Sequence, residues 1–182
     1  MIDRRRFLEA LVGVALAPAA LARAQAPKPG PVLAPSLVNA LEKSPYVYVS
    51  PLRADGAEST CHGEVWFAWI AGAVVLTTAA TSWKARSLAR GLTRARLWVG
   101  DHGRWKQLMG RNDRFRDAPS FVARVEPVRD SAFIDSLLAV YEKKYPAEIA
   151  NWRGPMRAGQ LDGSRVLIRY VPEAPAAGAA RT

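Results

Sequence analysis

Two residues, Ala71-Gly72, separate the run 64–70 from the run 73–78, and both runs are rich in aromatic, β-branched and other strand-forming residues. A two-residue connection leaves no room for a crossover, so the runs must return as an antiparallel hairpin. Residues 46–52 have the same character and reach Glu64 through Ala54-Asp55-Gly56-Ala57, a stretch of turn chemistry. They are expected to pair antiparallel with 64–70. Three successive strands joined by turns commit the chain to a mainly β architecture.

The remaining elements follow from the same signals. Residues 94–99 and 104–108 are predicted as a hairpin around Asp101-His102-Gly103, and 120–128 and 165–171 complete the strand set. A helix is expected from Ser36 to Lys43, ending before Pro45. A second, short one runs from the cap Ser82 to the stop at Gly91. The clearest helix covers 130–145, where Phe133, Ile134, Leu137, Leu138 and Tyr141 form an apolar stripe, with acids early, Lys143-Lys144 late, and Pro146 closing it. Mostly antiparallel strands with short helices predict a small barrel.

The junction between run 73–78 and the short helix concentrates chemistry. Thr77, Thr78, Thr81 and Ser82 supply hydroxyls and Lys84 and Arg86 supply cations. Hydroxyls, cations and unpaired N–H groups at a helix start are the donors a phosphate dianion needs. The competing reading is structural: threonine suits a strand, serine a cap, and lysine a solvated helix face. Arg86 lies two residues past Lys84 and so on another face.

The order Val75-Leu76-Thr77-Thr78, Ser82-Trp83-Lys84-Ala85, Arg94-Ala95-Arg96-Leu97-Trp98-Val99 resembles the FMN-binding stretch of the pyridoxamine 5'-phosphate oxidase-like split barrels. Pro45-Tyr46-Val47-Tyr48-Val49 with Arg53, Glu64-Val65-Trp66-Phe67-Ala68-Trp69 and Tyr141-Glu142-Lys143-Lys144-Tyr145-Pro146 extend the resemblance to its flavin/deazaflavin oxidoreductase branch, over residues 36–172. The resemblance implies a six- to seven-stranded antiparallel split β-barrel with short helices. It also implies a homodimer with FMN at the interface, acting on a small-molecule substrate. Deazaflavin is the alternative cofactor, and a non-catalytic module binding haem or flavin is the alternative class. Thr77, Thr78, Ser82, Trp83 and Lys84 would then meet the phosphate-bearing tail, and Trp66 and Phe67 the ring. Strand alternation turns only one of Trp66 and Phe67 toward the core. The oxidase proper carries an Arg and a Lys on this strand. Residues 66–71 have neither, which argues against pyridoxamine phosphate as substrate. Gln107, Trp98 and Trp105 are further candidates, the two tryptophans reaching a cofactor from the second subunit.

The ends speak to location. Arg4-Arg5 followed by Arg6-Phe7-Leu8, an apolar run 10–20 and Ala22-Arg23-Ala24 read as a twin-arginine export signal over 1–24, cleaved before Gln25. The expected location is periplasmic or otherwise exported, with the twin-arginine machinery as partner. That route carries folded proteins, which suits a cofactor inserted beforehand. Residues 25–35 form a proline-rich linker and 173–182 a disordered tail. About 160 residues remain, the length of one domain of roughly 100–200.

The formal net charge is +10, yet the arginines are spread through every element. The densest basic stretch, 104–116, holds only Trp105 and Phe115 as aromatics, which gives nucleic acid no stacking groove. No nucleic-acid partner is expected. Cys61 is the single cysteine, so no intramolecular disulfide forms. The adjacent Cys61 and His62, with His102 distant, lack metal-cluster spacing, and no metal is expected.

Overall fold

The computed structural model describes residues 33–174 except 105, 108 and 109, with the backbone alone of 106, 107, 110 and 111. The expected export signal, most of the linker and tail, and Trp105 lie outside the described residues. Seven strands form one antiparallel sheet: β1 Val47–Pro51, β2 Gly63–Val65, β3 Ala68–Ile70, β4 Ala73–Ala79, β5 Arg94–Val99, β8 Ser120–Val128 and β9 Arg165–Pro172. Their spatial order is β2-β1-β5-β8-β9-β4-β3. Two two-residue strands, β6 Lys106–Gln107 and β7 Gly110–Arg111, pair only with each other. The predicted hairpin between 94–99 and 104–108 therefore does not form. β5 pairs instead with β1 and β8, whose longer apolar faces bury more surface.

The expected single strand over 64–70 is also corrected. Its first part, β2, pairs with β1, Tyr48 opposite Glu64. Its second part, β3, pairs with β4, Ala68 opposite Val75. One short segment thus supplies both edges of the sheet, and the sheet curls into a split barrel around the break at Trp66-Phe67. The Ala71-Gly72 turn expected from sequence joins β3 to β4, with φ of 49° and 71° at its two residues.

Two cores flank the sheet. Inside the curl, Val47, Val49, Phe67, Val74, Leu76, Leu97, Phe121, Ile168 and Tyr170 pack together, and α1 (Pro35–Lys43) adds Leu41. On the outer face Ala68, Val75 and Leu167 meet Ile134, Leu137, Leu138 and Tyr141 of α3 (Phe133–Lys144). β4 is buried on both faces because alternate residues enter alternate cores, which is why 73–76 reads as an unbroken apolar run.

Pro146 does not end the helical region. It sits at the first turn of α4 (Pro146–Leu161), where a proline's missing N–H costs nothing. α4 packs back against α3 through Ile149 and Met156, and the ion pairs Arg153–Glu142 and Arg157–Asp135 join the two helices. Gly154-Pro155, residues that ordinarily break helices, lie inside it; tertiary packing overrides their propensity.

The break at Trp66-Phe67 is closed by tyrosines of the α3–α4 corner. The Tyr145 hydroxyl accepts from Phe67 N (3.0 Å) and donates to Pro45 O (2.7 Å). Tyr141 donates to Trp66 O (3.0 Å). Backbone groups that no ladder reaches are thereby satisfied. Beside them Lys144 Nζ lies 3.3 Å from the centroid of the Phe67 ring, and burial pulls its pKa down to about 8. Between pH 8 and 10.5 the unfolded chain holds this proton more tightly than the folded one. Stability therefore rises with pH across that window. Burial pushes the Tyr141, Tyr145 and Tyr170 hydroxyls the other way, above 10.0, so stability falls once the unfolded phenols ionise. Urea midpoints measured from pH 7.5 to 11 should rise and then fall, and Lys144→Met should remove the rise; a rise that persists in that variant would assign it elsewhere.

Candidate functional site

The hydroxyls of the β4–α2 junction divide between two faces, as strand alternation requires. Thr78 faces Ser82, its Oγ1 donating to Ser82 Oγ at 3.0 Å, and Ser82 Oγ accepts from Ala85 N at 3.2 Å as the cap of α2 (Trp83–Ala89). Thr77 faces outward and its Oγ1 accepts from Arg165 Nε at 3.2 Å. Both threonines are buried. The structure brings Thr78 and Ser82 together and directs Thr77 to a residue that local sequence does not single out.

Arg165 opens β9 opposite Ala79, and its guanidinium also donates to Thr77 O at 3.4 Å. Its stem passes Gly159 of α4, where an added Cβ would lie 2.6 Å from Arg165 Cγ and 2.8 Å from Cδ. Only glycine leaves that passage open. Arg165 is half-buried, and burial lowers its pKa from the ordinary arginine value. Lys84 is half-buried as well. Burial lowers its pKa foremost, Glu64 opposes that effect, and the charge of Arg165 adds to it. Among the described residues neither cation forms an ion pair. Two such charges in each other's field, partly out of water, favour an anion.

A groove of about 400 Å³ opens beside Arg165, lined by Trp66, Thr78, Ala79, Trp152 and Met156. That volume falls within the range of ligand pockets, about 300–1,000 Å³. Trp66 is fixed by stacking on Tyr145 at 4.6 Å and 10°, and by edge contact with Tyr141. Trp152 of α4 is half exposed at 50%, an unusual position for so large an apolar ring. The groove's lining fits a flat, anionic group: indoles for its plane and Arg165 for its charge, with Lys84 outside that lining but in the field of Arg165 and Glu64.

The other sequence candidates fall elsewhere. Phe67 is fully buried in the inner core, under Lys144. Trp83 packs against that core from α2, with Lys84 Nζ 4.6 Å from its ring. Arg86 donates to Thr81 O at 2.6 Å and is exposed. Trp98 is buried against Tyr48 and Phe115. Gln107 lies on β6, which pairs with none of the junction strands, and nothing beyond its backbone is described. Arg116 donates toward His62 Nε2 at 3.0 Å and also bonds Glu58. Among the described residues no group of three His, Cys, Asp or Glu side chains is placed to hold a metal ion.

No family model matches the chain, and no curated protein matches it. Solved structures do. The conserved hypothetical protein Rv2991 from Mycobacterium tuberculosis aligns at 21% identity and TM-score 0.53, over 79% of this chain and 82% of that one. HutZ, the haem storage protein from Vibrio cholerae, aligns at 14% and 0.50, over 79% and 92%. A FAD-binding protein from Mesorhizobium loti aligns at 19% and 0.48, over 79% and 91%. At these identities the likeness is one of fold.

Proposed function

We propose that the chain binds FMN and serves as an exported, homodimeric flavin-dependent oxidoreductase acting on a small organic molecule. The observation that carries the reading is Arg165, a half-buried cation without an ion-pair partner among the described residues, in a groove walled by Trp66 and Trp152, with a second half-buried cation, Lys84, in its field. Lys84 and Arg165 would hold the phosphate through charge-assisted hydrogen bonds, with Thr78 and Ser82 completing the polar side. Trp66, held rigid by Tyr145 and Tyr141, would orient the ring, and Trp152 with Met156 would exclude water from its open face. A bound flavin supplies the redox chemistry, while the protein supplies binding and orientation. A deazaflavin carrying the same phosphate tail would meet the same cations.

The test is the absorption spectrum of protein purified from its native host, with mass analysis of the small molecule that heat releases. A flavin spectrum and the mass of FMN support the reading. A Soret band, or a colourless protein that takes up no FMN on titration, overturns it. Export is tested separately: Arg4→Lys with Arg5→Lys should leave full-length precursor in the cytoplasm, and continued export of that variant would remove the twin-arginine reading.

A further inference from the structure

One guanidinium links the 52–62 loop, between β1 and β2, to the short 3₁₀ helix Arg114–Asp117. Arg116 of that helix donates from Nη1 to Glu58 Oε2 at 2.7 Å and from Nε to Asp113 Oδ1 at 3.2 Å, and its Nη2 meets His62 Nε2 at 3.0 Å. The guanidinium lies 5.5 Å from the Trp98 ring and 5.3 Å from that of Phe115, which stacks on Tyr48 of β1 at 4.6 Å. Arg116 is thus anchored to the barrel. Arginine carries five N–H donors and no acceptor, so its bond to His62 exists only while Nε2 keeps its lone pair. Protonation turns an N–H toward the guanidinium, and a hydrogen bond becomes a repulsion between like charges. The charged groups facing His62 among the described residues are Arg116, Glu58 and Asp113, with the Cys61 thiol next in sequence and Arg96 of β5 beyond Glu58 at 3.6 Å. Burial foremost and then the charge of Arg116 pull the His62 pKa below 6.5, and Glu58 and Asp113 oppose this without outweighing it. Below 6.5 the unfolded imidazole therefore holds a proton that the folded one resists, and the stability of this contact is lost as pH falls through the folded value.

We infer that His62 and Arg116 form an acid-released latch on the 52–62 loop: protonation of His62 Nε2 detaches the end of the loop from the Arg114–Asp117 helix, while Glu58 keeps its hold on Arg116 and Arg96. The release is local. His62 is followed at once by β2, a three-residue strand at the edge of the sheet, and β2 leads directly to Trp66. Loosening at His62 therefore reaches the segment that carries one wall of the groove. The latch itself does not depend on the flavin reading. Cys61, the single cysteine and half-buried, lies beside His62 and reports the state of the loop.

The experiment measures the rate at which Cys61 of the purified full-length protein reacts with 4,4'-dithiodipyridine, a disulfide that stays reactive in acid, from about pH 7.5 to about pH 5. Dividing each rate by that of the urea-unfolded chain at the same pH removes the titration of the thiol itself and leaves the protection given by the fold. Protection should fall by at least about threefold across the window and return when the pH is restored. Free carboxylates stay largely charged over this range, so the fall is not theirs. His62→Gln places an amide oxygen where it accepts from Arg116 and does not titrate, and its protection should stay level. NMR titration of the two histidines, His62 and His102, in the parent protein gives a second reading that needs no variant: the protection should fall with the midpoint of a histidine that titrates below 6.5. Constant protection in the parent protein, an equal fall in His62→Gln, or a fall whose midpoint matches neither histidine would overturn the inference.

Discussion

Tyr145→Phe should destabilise the fold by about 2–4 kcal/mol, the cost of leaving buried polar groups without partners. The hydroxyl accepts from Phe67 N and donates to Pro45 O, groups 78 and 100 residues distant in sequence. Phenylalanine keeps the ring stack on Trp66 and deletes only these bonds. The loss is therefore assignable to the break in the strand rather than to packing. Urea unfolding should show a lower midpoint with an unchanged slope. A loss below about 0.5 kcal/mol would mean that water satisfies the break and the tyrosine is packing alone.

The second large effect is expected on cofactor affinity. Lys84→Ala and Arg165→Met should each weaken FMN binding by about 1.5–3 kcal/mol, the range for hydrogen bonds to charged groups. Methionine retains much of the arginine stem that threads past Gly159, so the apolar packing is kept. Together the substitutions should cost at least about 100-fold, with less than full additivity because the two charges sense each other. Lys84 has no ion pair to lose among the described residues, so Lys84→Ala should change thermal stability little, whereas Arg165→Met also removes the bonds to buried Thr77 and should lower stability by about 1–3 kcal/mol. Flavin fluorescence titration reads the affinity. Wild-type affinity in the double variant would move the phosphate elsewhere, and loss through Lys84 alone would leave Arg165 as a brace for Thr77.

What was legible in the sequence was local. The Ala71-Gly72 turn, the cap at Ser82, the apolar stripe of α3 and the extent of β8 depend on residues near one another, and each stands where pattern and turn chemistry put it. The resemblance in motif order pointed to the split barrel. What the sequence hid depends on pairing at long range. A continuous aromatic run, 64–70, carries no mark that its halves join opposite edges. Gly154-Pro155 conceals a helix held by Ile149, Met156 and ion pairs to α3. Arg165 follows a turn like any other strand-opening residue, and only the register of β9 on β4 brings it to Thr77. The candidate site was half visible for the same reason: Thr78, Ser82 and Lys84 are neighbours in sequence, whereas Arg165, Trp152 and Met156 reach the groove only through the fold.

Because β2 and β3 are consecutive pieces of one segment, the seven-stranded sheet ends where it begins. The break between β2 and β3 is two residues wide, and side chains of α3 and the α3–α4 corner fill it. An extended peptide, or a strand from another copy, finds little there to continue. A strand adding at that break would first have to displace the tyrosine hydroxyls from the Trp66 and Phe67 backbone.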